Sequence, residues 1–373
     1  MEIFRLGRHI AKILYWSLIL IFIAALSACS DSSDSPAPAP IVSPPTGPLC
    51  SVANTQLIVD MTTPVAGYTW NDPHVIKEGP TTYWMYASAT DSFIFPVQLF
   101  RFGSSDGVTW ALDPGTQNMA APMLAAGGAP LAWDDGGAET PAVVFFNGNY
   151  HLFYTTYETH PDNPLHSSSE FRIGHAVSAD GVSGWVVDST PLVSPSGVYP
   201  EFDESVVAEP APVVFNGELY LYFTAIGVNL GVGSTLQVIG LTKSADGTTW
   251  SSPVSVLEPS QSIYPRGSGW IGYSTPNAIA HNGEVHLFVD VANEIPSWLQ
   301  VRLHHARSAD GETGWITDAR PLLIKESFPW TAREIRSPSP LDDNGTLKLY
   351  FAGDNFPGTD FGIGLTNCPS LSW

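Results

Sequence analysis

Three carboxylates stand at the start of segments that the chain repeats. Asp72 precedes Pro73, Glu209 precedes Pro210, and Glu139 lies one residue before the Thr140-Pro141 pair. Two further copies open with Ser274-Thr275-Pro276 and Arg336-Ser337-Pro338, so the segment occurs five times at a period of 60–75 residues. A strand start has no need of an acid. Three acids brought to one place repel one another, which must raise the pKa of at least one of them. A protonated carboxyl beside an ionised one is the pair that glycosidic-bond hydrolysis requires. The first protonates the leaving oxygen, and the second activates water or attacks the anomeric carbon. The third can sustain the raised pKa of the acid or orient the sugar. The competing readings are solvated strand starts or a bound cation.

Strands must carry these residues to a common point. Copies two to five run through Val, Ala, Ile or Leu into Asn-Gly at 147–148, 216–217, 282–283 and 344–345. Each turn leads into an alternating strand, at 150–154, 219–223, 285–289 and 347–351. Asn-Gly between alternating segments is a strong two-residue hairpin signal. The first copy turns through Glu78-Gly79-Pro80 into 83–86. An all-β self-similarity of this period predicts a radial repeat, here a five-bladed β-propeller spanning 51–373 as one domain. The first strand of each blade would line a central funnel, with 72, 139, 209, 275 and 337 in one layer around it.

A second repeat keeps step with the first. Ser-x-Asp-Gly followed by Trp occurs at 104–110, 178–185, 244–250 and 308–315. Asp-Gly provides a positive-φ turn, and the Ser and Asp side chains can bond nearby amides while the Trp packs between blades. The pattern resembles the Asp-box of sialidases, but its spacing is one residue shorter. Sialidases also need six blades and an arginine triad. These turns are read as scaffold.

Aromatic residues precede every blade opening: Trp70, Trp133, Phe202, Trp270 with Tyr273, and Trp330. On a funnel rim their flat faces would stack on sugars, in competition with packing between blades. Trp70, Trp133, Trp270, Tyr273, Trp330 and His74 are the candidate sugar contacts. His151 and His286 alternate within strands and read as structural. No His-x-x-x-His or equivalent metal-ligand spacing occurs, and the chemistry needs no cofactor. A structural cation near the axis is compatible with the acidic runs Asp134-Asp135 and Asp203-Glu204.

The chain begins with Arg5, Arg8 and Lys12, an apolar run from 13 to 26, and Leu26-Ser27-Ala28-Cys29. This is a secretion leader over 1–28, too short for a comfortable span, and its end resembles a bacterial lipobox. That resemblance implies a lipidated Cys29, and Ser30 after it implies the outer membrane in a Gram-negative cell, on either its periplasmic or its outer face. Residues 30–48, rich in Ser, Pro, Asp and Ala, predict a flexible tether, so 29–50 would link anchor to fold. Loss of the leader takes 15 Lys+Arg and 36 Asp+Glu to 12 and 35, a net charge of −23. Such a surface repels nucleic acid and anionic membranes; neutral glycans remain easy partners for what is expected to be a monomer, and acidic polysaccharides would need a local Arg to serve them. Cys50 precedes the first repeat and Cys368 follows the last. In an exported protein they can pair where a closed ring brings its ends together. The segment 56–60 beside Cys50 would complete the last blade against 361–366.

The Asp72-Pro73 opening, the five repeats and the Ser-x-Asp-Gly turns resemble the clan of five-bladed glycosidases. That clan includes glycoside hydrolase family 43, with its arabinanases and β-xylosidases, and the levansucrase and invertase families. The resemblance spans 55–367 and implies an inverting hydrolase of arabinosides or xylosides. Residue by residue, it makes Asp72 the general base, Glu209 a match for the blade-three tuning acid, and Arg336 the arginine that holds the sugar. The blade-four Glu-x-Pro that should carry the general acid is replaced by Ser274-Thr275-Pro276, while a Glu-x-Pro stands in blade two as Glu139-Thr140-Pro141. Glu209 and Glu139 therefore share the acid and tuning roles, with Glu209 the first choice as acid. A site that has lost hydrolysis and only binds glycans is the alternative.

Overall fold

Four Asn-Gly turns set the frame. Asn147, Asn216, Asn282 and Asn344 all have φ near +50° and their glycines φ between +81° and +86°. Two successive positive-φ residues make the tight turn whose twist matches paired strands, and only Asn-Gly-like pairs adopt it cheaply. The computed structural model describes residues 48–60, 62, 67–91, 94–113, 123–124, 133–157, 171–229, 234–265, 268–293, 299–354, 361–369 and 371. The leader, the candidate lipidation site Cys29 and nearly all of the tether lie outside the described residues.

Strand β1 (Gln56–Val59) is followed by blade one: β2 (Tyr68–Gly79), β3 (Thr82–Asp91), β4 (Ile94–Ser104) and β5 (Ala111–Leu112). Blade two holds β6 (Gly137–Phe146), β7 (Asn149–Tyr157), β8 (Arg172–Ser178) and β9 (Val186–Val187). Blade three holds β10 (Val206–Phe215), β11 (Glu218–Asn229), β12 (Ser234–Ser244) and β13 (Val254–Leu257). Blade four holds β14 (Trp270–His281), β15 (Glu284–Asn293), β16 (Leu299–Ser308), β17 (Ile316–Thr317) and β18 (Leu323–Ile324). Blade five holds β19 (Glu334–Asp343), β20 (Thr346–Asp354) and β21 (Gly362–Asn367), and its fourth strand is β1. The architecture is an all-β, five-bladed propeller. A single parallel bridge, Gln237 with Gly272, joins blades three and four. It needs a glycine, because a Cβ at 272 would sit 2.0 Å from the Gln237 carbonyl oxygen.

The ring closes as the chain ends require. Gln56 pairs with Leu365 and Val59 with Ile363, and a disulfide joins Cys50 to Cys368. Leu49, Cys50, Cys368 and Leu371 are buried in one cluster with Leu322, Leu323 and Phe351. The Ser-x-Asp-Gly turns are scaffold. Asp106, Asp180, Asp246 and Asp310 each accept two backbone N–H groups and a serine hydroxyl through Oδ1. Trp110 packs edge-on against Tyr350 of the preceding blade, Trp250 against Phe153 and Trp315 against Tyr222.

The inner strands share one distortion. In each, two residues oppose a single partner: 72–73, 140–141, 209–210, 275–276 and 337–338. The first of each pair is left-handed, with φ of 52° at Asp72, 50° at Thr140, 58° at Glu209, 42° at Thr275 and 53° at Ser337. The second is always proline, which has no N–H to lose from a ladder and is tolerated in sheets mainly at bulges. A bulge re-aims a side chain, and left-handed non-glycine residues cost about 1–3 kcal/mol each. The expected layer is therefore corrected at one position: Thr140, not Glu139, is the blade-two counterpart of Asp72. Glu139 belongs one residue earlier, in register with Asn71, Ala208, Ser274 and Arg336.

Candidate active site

The five bulges surround a pocket lined by Asp72, Thr140, Glu209, Thr275 and Ser337, with their prolines, Ala142 and Asn277. Three of the five left-handed residues carry hydroxyls and two carry carboxylates. Asp72 is buried and accepts a hydrogen bond at Oδ1 from the Ser337 hydroxyl, at 2.7 Å. Its carboxylate makes no other hydrogen bond among the described residues.

Glu209 is fixed. Its Oε2 accepts the Thr224 hydroxyl at 2.6 Å and the Thr275 N–H at 2.8 Å, and its Oε1 faces an Arg336 guanidinium nitrogen at 3.9 Å. Glu139 is the opposite case: its carboxyl has no hydrogen-bond partner among the described residues. Removal from water pushes its pKa up to about 8, the charge of Asp72 adds to this, Arg336 opposes it and Glu209 adds again. Glu139 thus keeps its proton at neutral pH beside a second carboxylate.

Arg336 is the cationic centre of the cluster. Burial disfavours its charge, but Asp72, Glu334, Glu209 and Asp290 around it hold the guanidinium firmly protonated. Its side chain is 17% exposed and lies 5.7 Å from the Phe361 ring.

Asp290 was not found by sequence reasoning. It is a wholly buried carboxylate on β15, the second strand of blade four, and blade four has no acid at its own bulge. Its Oδ1 accepts the Ser274 hydroxyl and its Oδ2 the Ser337 N–H at 3.1 Å. Burial and the neighbouring Glu209 push its pKa up to about 7, against Arg336 and these hydrogen bonds. The available signal was register: Asp290 lies opposite Ser274 as Thr155 lies opposite Glu139.

Most of the expected rim aromatics are elsewhere. Trp70 is 0% exposed, edge-on to Phe100 and Phe102 in the core of blade one, and offers no face to a ligand. Tyr273 is equally buried, beside Tyr264. Trp330 stacks on Phe328 and Phe351, with ring centroids 5.8 and 5.3 Å away. Trp270 is half-buried and carries the Arg302 guanidinium 4.7 Å above its ring. These four are corrected from sugar platforms to packing elements. The residue just before or at the start of an inner strand points into a blade as readily as onto the rim, and a large ring gains more from burial. Trp133 remains half-buried at the entry to β6. His74 is also corrected. It is buried beneath the pocket, its Nε2 on the Val143 carbonyl at 2.9 Å and its Nδ1 facing the Asn277 amide at 3.2 Å. Burial lowers its pKa to about 4, so it is a neutral plug joining blades one, two and four. No group of three His, Cys, Asp or Glu side chains among the described residues is arranged to hold a metal.

No family model and no curated protein matches the chain. Solved structures do. A thermostable family-43 glycoside hydrolase superposes with a TM-score of 0.60 at 17% identity, over 82% of this chain and 91% of that one. A family 117 glycoside hydrolase from the marine bacterium Zobellia galactanivorans gives 0.57 at 15%, over 81% and 85%. An endo-arabinase from Bacteroides thetaiotaomicron gives 0.55 at 13%, over 84% and 97%. The chain has the fold of the five-bladed propeller glycosidases. At these identities the likeness establishes the fold alone, and the chemistry must come from the cluster itself.

Proposed function

We propose that the protein is an inverting glycoside hydrolase acting on neutral arabinoside- or xyloside-like chains, with Asp72 as general base and Glu139 as general acid. The observation that carries this reading is the contrast between Glu139 and the carboxylates around it. Glu139 holds its proton to about pH 8 and its carboxyl has no hydrogen-bond partner among the described residues, so no acceptor there competes with a leaving oxygen for that proton. Glu209 is tied to Thr224, Thr275 and Arg336, which suits a fixed charge that keeps the acid protonated. The acid role thereby moves from Glu209, the first choice on sequence, to Glu139.

Asp72 and Glu139 come from adjacent blades, with Glu139 one residue before the bulge and Asp72 within it. Inverting enzymes keep their carboxyls about 6.5–9.5 Å apart for the attacking water. Arg336 would hold a sugar hydroxyl or ring oxygen against the cluster. The arabinanase and glycosidase neighbours support the substrate class.

The leader and Cys29 support an outer-membrane lipoprotein that acts on glycan fragments at the cell envelope. Mass spectrometry of the N-terminal peptide of the membrane-fraction protein tests this, and an unacylated Cys29 would reject it.

The test of function is a screen of nitrophenyl glycosides and of arabinan and xylan oligosaccharides against residues 30–373, which retain Leu49 and Cys50. NMR of the first-formed anomer accompanies it. Inverted product and loss of turnover in Asp72→Asn and Glu139→Gln are expected. Retained configuration would remove Asp72 from the base role, and binding without turnover in the parent would leave a glycan-binding protein.

A further inference from the structure

A hydrogen bond crosses from four of the five blades to the next beside the pocket. The residue of the second strand that faces the position before the bulge presents a side-chain oxygen to the amide of the next blade's left-handed residue. Ser88 Oγ accepts the Thr140 N–H at 2.8 Å, Thr155 Oγ1 the Glu209 N–H at 2.7 Å, and Thr224 Oγ1 the Thr275 N–H at 2.9 Å. At the fourth junction the acceptor of the Ser337 N–H is a carboxylate, Asp290 Oδ2, at 3.1 Å. At the fifth the corresponding residue is Ala352, which has no oxygen to offer.

Two junctions are met by a hydroxyl alone, a third by the Thr224 hydroxyl together with Glu209 Oε2, and one does without, so the fold does not require a carboxylate from the second strand here. A buried carboxylate is the costly choice, because it must leave water and find partners for its lone pairs. Asp290 finds two. Its Oδ1 takes the Ser274 hydroxyl of blade four while Oδ2 takes the Ser337 amide of blade five. Ser337 then turns its own hydroxyl onto Oδ1 of Asp72, at 2.7 Å. The path Ser274–Asp290–Ser337–Asp72 therefore runs from blade four through blade five to blade one. The charged groups facing this path are Glu209, Arg336 and, at its Asp72 end, Glu139.

We propose that Asp290 is a positioning residue for hydrolysis: by pinning the Ser337 amide, it aims the Ser337 hydroxyl and thereby fixes the rotamer of Asp72 in the pocket. This rests on Asp72 as the base. It also accounts for how blade four takes part in the site without an acid at its own bulge. Ser337 transmits the constraint through one backbone and one side-chain bond, so a short polar residue is needed at 337 as well as at 290.

Ala352 shows that the ring tolerates alanine at a staple position, so Asp290→Ala is expected to fold. On the nitrophenyl arabinofuranoside or xylopyranoside that the parent hydrolyses faster, kcat should fall about tenfold with KM within twofold. Asp290→Thr, which restores an acceptor oxygen of the kind found at 155 and 224, should recover most of that loss. Ser337→Ala should reproduce the loss, and the double variant should be no worse than either single one, because both break one path. A crystal structure gives a readout that needs no substrate: in Asp290→Ala the Ser337 hydroxyl should leave Asp72.

Unchanged kcat in Asp290→Ala, losses that multiply in the double variant, or a Ser337–Asp72 bond that survives the substitution would each overturn the proposal. Asp72→Asn separates this from the function itself. If it is inactive while Asp290→Ala is unimpaired, the positioning role fails alone. If it turns over like the parent, the base assignment fails first.

Discussion

Glu139→Gln should make the protein more stable at neutral pH while it abolishes turnover. The folded chain holds the Glu139 proton to about pH 8, whereas the free side chain releases it near 4.5. Between those values the folded state binds a proton that the unfolded state has lost, so the stability this group contributes falls as pH rises through that window. At about 1.4 kcal/mol per pH unit, the accumulated penalty reaches about 3 kcal/mol at pH 7. Glutamine keeps the shape and cannot ionise, so the variant escapes that slope. In a chain of this size about 3 kcal/mol corresponds to a Tm change on the order of 5 °C. The assay is thermal or urea unfolding of parent and variant at pH 4.5, 6, 7 and 8. The two curves should coincide at the lowest pH and separate steadily, with the variant above. A variant no more stable than the parent at pH 7, or a separation independent of pH, would mean that Glu139 is ionised and satisfied in the fold, and the acid assignment would fall with it.

Arg336→Met removes the cation that opposes the raised pKa of Glu139, so the basic limb of the kcat/KM profile should move up from near pH 8 while activity falls; a limb that stays or moves down contradicts the placement of Arg336. Trp70→Ala should cost about 3–5 kcal/mol in urea unfolding, as for a large core side chain; a change in KM with stability intact would restore it to the rim. Cys368→Ser opens the latch across 318 residues and should lower stability by about 2–5 kcal/mol without altering KM at the distant pocket; unchanged Tm under reducing and oxidising conditions would show that the latch contributes nothing.

The ring was legible because its signals are local and repeated. Asn-Gly turns, alternating strands, Ser-x-Asp-Gly loops and the two cysteines each specify a short-range geometry, and five copies put them in register. The closing pair of β1 with β21 followed from the same reasoning. The site was half legible. Asp72, Glu209, Glu139 and Arg336 converge as expected, but the layer was misjudged at blade two. The informative position was the residue immediately before proline, where the left-handed bulge forms, not the acid nearest to it. Asp290 was missed because it sits mid-strand in an ordinary alternating segment, and its role appears only when strand pairing sets it opposite Ser274 and beside Ser337. The aromatics misled for a related reason: nearness to a strand start does not say which way a ring points, and burial won at Trp70 and Tyr273 while Trp330, half-buried, stacks on Phe328 and Phe351.

The central claim is that Glu139 gives its proton to the leaving group, and the dependence of its loss on leaving-group quality measures that most directly. A dinitrophenyl glycoside departs without protonation, whereas an oligosaccharide cannot. Glu139→Gln should therefore hydrolyse the dinitrophenyl substrate at nearly the parental kcat while losing about 10²–10⁴-fold on the oligosaccharide. Equal losses on both substrates, or this leaving-group dependence in Glu209→Gln in place of Glu139→Gln, would contradict the account.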